Sequence, residues 1–153
     1  MPHNGPLLGT DMVTQIALVV HDIEKTGKAF AKFLGVDYPG YSVTAPGDEA
    51  QTRYMGGSST ARAKLCFFHV GPNVDLELIE PDHEPSVWRN VLNEKGEGFH
   101  HIAFVVKDMK ARNAALESEG MPLVQSGEYK GGRYAYHDAT DTLKVILELL
   151  END

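Results

Sequence analysis

The sequence predicts an α+β fold: two tandem βαβββ modules whose strands form one mixed sheet around a cleft. Two internal matches and their order predict it. Gln15-Ile16-Ala17-Leu18-Val19-Val20-His21-Asp22-Ile23 matches His101-Ile102-Ala103-Phe104-Val105-Val106-Lys107-Asp108-Met109, 86 residues later. VDLELIE (Val74 to Glu80) matches VILELLE (Val145 to Glu151), 71 residues later. The order is A, B, A′, B′. The shorter second offset puts 15 extra residues in the first module, around APGDEAQTRYMGGSST. One sheet with a single helix leaves a face uncovered. Two copies related by a pseudo-two-fold can cover each other and leave a concave surface between them.

The elements follow in order. Residues 1–12 carry no periodic pattern and read as a flexible tail. The first module, 13–80, opens with a strand of β-branched and apolar residues. Asp22 is placed as a helix N-cap. Ile23, Phe30, Phe33 and Leu34 then form one apolar stripe, and Gly35 ends the helix. Strands are expected near Tyr41–Thr44, Ala63–His69 and Val74–Glu80. The linker, 81–98, holds a short helix from Ser86 to Lys95 with Ser86 as its cap. The second module, 99–153, repeats the plan. His101 begins the strand, Asp108 caps a helix bearing Met109, Ala115 and Leu116, and Gly120 ends it. Strands are expected near Leu123–Ser126, Arg133–Asp138 and Lys144–Leu150.

Composition narrows the function. A formal net charge of −8, with no basic block to offset it, excludes nucleic acid and anionic membrane surfaces as expected partners. The one cysteine, Cys66 in AKLCFFHV, allows no intrachain disulfide and reads as a buried thiol. No apolar run approaches the roughly 18 residues of a membrane span. The first residues lack the pattern of a signal peptide, so a cytoplasmic location is expected.

The repeat also locates the chemistry. Strand side chains alternate, so Gln15, Ala17 and Val19 share a face, as do His101, Ala103 and Val105. On the last strand of each module Leu76 and Leu78, and Leu147 and Leu149, face one way. Glu77 and Glu148 face the other. A carboxylate in an apolar strand is costly to bury unpaired, and here that occurs twice at equivalent positions. Gln15, Glu77, His101 and Glu148 can converge across the two-fold, giving one imidazole nitrogen and three oxygen donors. That set suits one divalent ion, Co, Mn, Ni or Zn, with positions left open for a substrate. Glu77 and Glu148 are the candidate catalytic residues, each both ligand and base. His100 is expected on the opposite side of its strand, in a structural role. In YKGGRY, Lys130 and Arg133 could meet a carboxylate or phosphate of the substrate. Trp88 and Arg89 on the linker helix read as packing and surface.

These residues carry a resemblance to the vicinal oxygen chelate superfamily, which includes glyoxalases, bleomycin resistance proteins and dioxygenases, over roughly Val13 to Glu151. The resemblance implies paired βαβββ modules, a metal in the cleft, and ligands at Gln15, Glu77, His101 and Glu148. The stretch PSVWRNVLNEKGEGFHHIAFVV and the strand VDLELIEP are similar to methylmalonyl-CoA epimerases. Those enzymes usually carry His at the position of Gln15, and their carboxylate-bearing loop is replaced here by MGGSSTARA. The Gln, Glu, His, Glu set looks instead like that of animal-type glyoxalase I, although this chain has HDATDTLKV where a D-P-D-G-Y turn is common. Extradiol dioxygenases resemble the chain less. The resemblance implies an isomerase that moves a proton next to a carbonyl through a metal-stabilised enolate, on an acyl-CoA or on a thiol adduct as a lactoylglutathione lyase does. A metal-free binding protein of the resistance type is the alternative. The relatives also imply a homodimer.

Overall fold

The computed structural model describes residues 5–153. In chain order the elements are β1 (Gln15–Val19), α1 (Ile23–Leu34), β2 (Ser42–Val43), α2 (Gly47–Ala50), β3 (Arg53–Tyr54), β4 (Gly57–Ser58), β5 (Ala63–His69) and β6 (Asp75–Pro81). There follow α3 (Val87–Lys95), β7 (Gly98–Val105), α4 (Met109–Ser118), β8 (Leu123–Tyr129), β9 (Gly132–Ala139) and β10 (Val145–Asn152). The strands form one ten-stranded sheet in the order β2-β5-β6-β1-β7-β10-β9-β8-β3-β4.

Local chemistry starts and stops the helices. Asp22 accepts from the Lys25 N–H, Asp108 from the Ala111 N–H, and Ser86 from the Arg89 N–H. Gly35 ends α1 in the left-handed region at φ 71°, where its N–H reaches the Ala31 and Lys32 carbonyls. The repeated glutamates at the end of β6 and β10 add a second cap. Glu80 accepts from the Ile23 N–H at 2.9 Å and Glu151 from the Met109 N–H at 3.0 Å.

The same register is built twice. β1 runs parallel to β6 with Ala17 beside Glu77, and β7 runs parallel to β10 with Ala103 beside Glu148. β1 and β7 pair antiparallel at the centre and join the halves. Outside the curl, α1 covers Cys66, Phe68 and Leu78, and α4 covers Ala135, Leu147 and Leu149. Inside it, α3 packs Val87, Trp88, Val91 and Leu92 against Ala17, Val19, Ile79, Tyr134 and Tyr136. Cys66 is buried, as expected.

The extra residues of the first half cross over. β3 pairs with β8, so Arg53 and Tyr54 extend the edge of the other half. β2 lies at the opposite edge, only a short connection away along the chain. The two edges therefore approach each other, and the sheet curls around a cleft of about 810 Å³. Of the 1–12 segment, residues 1–4 lie outside the described residues. Leu8 is buried with Val106, Met109 and Leu116, and Arg112 donates to the Leu7 carbonyl, so the later part of that segment packs on α4. No helix among the described residues is long and apolar enough to cross a membrane.

Candidate metal centre

Four neighbouring central strands, β6, β1, β7 and β10, deliver Glu77, Gln15, His101 and Glu148. The small side chains of Ala17 and Ala103, both fully buried, sit beside the two glutamates and leave room for larger groups to converge. Glu77, His101 and Glu148 each place one donor atom within 4.8 Å of the others. His101 Nε2 is 2.5 Å from Glu148 Oε2 and 3.5 Å from Glu77 Oε1. Gln15 lines the same cleft.

The donor set fits a cation. Gln15 Oε1, Glu77 Oε1, His101 Nε2 and Glu148 Oε2 are all buried without a hydrogen-bond partner. They are the four residues the repeat singles out, and buried polar atoms normally find partners. Two lone pairs 2.5 Å apart repel, so a proton or a cation has to lie between His101 and Glu148. Burial pushes the His101 imidazole down to about 3, which keeps it neutral. Burial pushes the Glu148 carboxyl up to about 8, against the pull of the Tyr136 hydroxyl. Burial, then the neighbouring Glu148 and Asp75, raise Glu77 well above the ordinary carboxylate range.

A supporting layer surrounds these groups. Trp88 Nε1 donates to the Tyr136 hydroxyl at 2.9 Å. Tyr136 lies directly across from Glu148 in the β9–β10 ladder. Neither aromatic was expected at the site. The signal was present, because Tyr134 and Tyr136 share strand parity, but only the β9–β10 register connects it to Glu148. His100 departs from expectation. Ala17 pairs with His101 and Leu18 with Phe99, so His100 is the extra residue of a β-bulge. The bulge turns it beside His101, with the two Nδ1 atoms 2.7 Å apart, instead of onto the far side of the strand.

Lys130 lines the cleft rim. Arg133 is one residue out of phase with Tyr134 and is held by Glu128, Glu151 and Asp153 at 3.3, 2.8 and 2.7 Å, away from the cleft lining. Arg89 donates to the Asp82 and Pro81 carbonyls and so ties the linker helix to the end of β6.

A curled sheet of two like halves that brings buried donors together at a cleft defines a cleft-type α+β protein with a candidate metal site. Residues 14–137 match the family described as the Glyoxalase/Bleomycin resistance protein/Dioxygenase superfamily, and the chain belongs to it. It is 27% identical over 138 residues to a 2-epi-5-epi-valiolone epimerase of Actinomyces sp, covering 84% of this chain and 73% of that one. It is 28% identical over 123 residues to an ethylmalonyl-CoA/methylmalonyl-CoA epimerase of Cereibacter sphaeroides, covering 80% and 81%. The structure of methylmalonyl-CoA epimerase from Mycobacterium tuberculosis shares the fold, with a TM-score of 0.65, 21% identity, and coverage of 100% of this chain and 93% of that one.

Proposed function

We propose that the chain is a divalent-metal-dependent epimerase that removes and returns a proton at a carbon next to a carbonyl. Gln15, Glu77, His101 and Glu148 would hold the ion, and Glu77 and Glu148 would serve as bases. One observation carries this reading: four buried donor atoms without partners, drawn from the first and last long strands of both halves. An ion of the Co, Mn, Ni or Zn class bound there supplies a Lewis acid for the developing oxyanion.

The chain's own groups handle the proton. One carboxylate oxygen takes the carbon-bound proton, and the electron pair moves onto the carbonyl oxygen. The carboxyl opposite returns a proton to the other face, and the carbon inverts. Without an ion, burial raises the proton affinity of both carboxyls; a bound cation would compete with those protons and leave the carboxylates free to act as bases. Trp88 and Tyr136, which line the same cleft, would position Glu148 from the neighbouring strand.

The ethylmalonyl-CoA/methylmalonyl-CoA epimerase relative supports an acyl-CoA as substrate. A second substrate reading rests on the cleft lining. Lys130 is the one Lys or Arg among the described lining residues, which also include Glu128 and a His69–Asp75 pair. Thr14, Ser42, Thr44, Thr52, Asn73 and Asn152 contribute neutral hydroxyls and amides to it. Such a lining favours a neutral hydroxyketone over the phosphates of a CoA, in keeping with the valiolone epimerase relative.

The test is ion-dependent exchange in D2O, followed by proton NMR. Methylmalonyl-CoA, the hemithioacetal of methylglyoxal and glutathione, and dihydroxyacetone would be offered in parallel. Deuterium entering next to the carbonyl of one of them, and lost in Glu148→Gln, is the expected result. A protein that takes up no added Co, Mn, Ni or Zn would overturn the reading in favour of a metal-free binding protein.

A further inference from the structure

We propose that His100 is a positioning residue that holds His101 in the tautomer with hydrogen on Nδ1, leaving the Nε2 lone pair free for an ion. This rests on the metal-site reading above, but its geometry stands by itself. His100 Nε2 lies 3.2 Å from the Val87 carbonyl oxygen, and its Nδ1 lies 2.7 Å from His101 Nδ1. Both rings are buried, at 3% and 0% exposure, in a T-shaped arrangement with an interplanar angle of 83°.

A carbonyl oxygen only accepts, so the hydrogen of a neutral His100 belongs on Nε2. Its Nδ1 then carries a lone pair, and the hydrogen between the two Nδ1 atoms belongs to His101. That leaves His101 Nε2 bare, facing Glu148 and Glu77. The reverse arrangement puts hydrogen on His101 Nε2. His100 must then donate from Nδ1 and turn a lone pair toward the Val87 oxygen.

The anchor itself is braced. The Val87 N–H donates to Gln125 Oε1 at 2.8 Å, and Gln125 Nε2 donates to the Tyr134 hydroxyl at 3.2 Å. Ser86 caps the same turn. Orientation of a ligating imidazole thus starts in the linker helix and passes through the bulge, much as hydrogen bonds to the second ring nitrogen of metal-bound histidines fix them elsewhere.

The test uses full-length protein with 15N-labelled histidine and three sequences: wild type, His100→Phe and His100→Gln. Long-range 15N–1H NMR of the metal-free protein reads the tautomer, and calorimetry with Zn reads the affinity. Expected are a protonated Nδ1 on His101 in wild type and a mixed tautomer in His100→Phe, with affinity roughly 10–100-fold weaker. His100→Gln, which can still accept from His101 and donate to Val87, recovers most of the loss. Hydrogen on His101 Nε2 in the wild type would overturn the proposal, as would a folded His100→Gln that binds Zn no better than His100→Phe. If wild type binds no Zn, the metal reading falls, and the nitrogen shifts of the metal-free protein alone decide the relay.

Discussion

The two halves share a frame and differ in what their first strands carry. β1 is regular and brings Gln15, whereas β7 has a bulge at His100 and brings His101. In both, an alanine sits beside a glutamate of the last strand, and a second glutamate three residues on caps the helix. The contrast teaches that repeated parts build the cavity and its pair of carboxylates, while the unrepeated position sets which donor atom each first strand offers. An amide oxygen needs no tautomer control. An imidazole does, and only the half with the imidazole has the bulge and the neighbour to supply it.

The largest expected effect comes from removing a shared element. Glu148→Gln and Glu77→Gln should each slow proton exchange by roughly 10²–10⁴-fold in a deuterium-incorporation assay. Glu148→Gln should cost more ion affinity, because its oxygen lies nearer His101 than that of Glu77. Equal losses would mean that the halves are equivalent at the ion.

Exchanging the unlike residues comes next. His101→Gln removes the one nitrogen donor and should abolish Zn binding measured by calorimetry. Gln15→His keeps four donors and should stay within about tenfold of wild type. A reversed ranking would move the dominant ligand to the first half.

The pH dependence of stability is smaller. Between pH 6.5 and 8 the folded metal-free protein holds a proton on Glu148, raised to about 8 by burial, that the unfolded chain releases near 4.5. Stability therefore falls as pH rises through this window. The depressed histidines, lowered to about 3, are neutral in both states above 6.5 and do not offset it. Thermal melts should drop by on the order of 5 °C without metal. With Zn present the trend should invert, because the ion competes with that proton.

The smallest effect separates the two helix caps. Asp22→Ala should cost about 1 kcal/mol in denaturant titrations. Asp108 sits at φ 56°, in the left-handed region, so Asp108→Ala loses the cap and adds about 1 kcal/mol of backbone strain. Asp108→Gly should recover that strain, whereas Asp22→Gly has none to recover.

Much of this was readable before folding. Strand positions, caps and the four donors follow from the repeat, because period-two alternation and equivalent placement survive without tertiary knowledge. The bulge did not, since a bulge exists only relative to a partner strand, and HHIAF reads as an unbroken alternation. The destination of Arg53 and Tyr54 was equally hidden, because two-residue strands among glycines carry no pattern of their own. Arg133 followed strand parity away from the cleft, a consequence of register that a hairpin motif read in isolation does not reveal.

The pairing of β3 with β8 also sets an order of events during synthesis. Arg53 and Tyr54 leave the ribosome long before Gln125 and Ser126, their ladder partners. The early half can align its own strands at once, but that edge stays open until the late half arrives, and closing so long a loop is entropically slow. The cavity is therefore completed last, and a chain truncated before residue 123 would lack the strand that closes this edge and the Tyr134 and Tyr136 side chains that pack on Ala17, Val19 and Ile79.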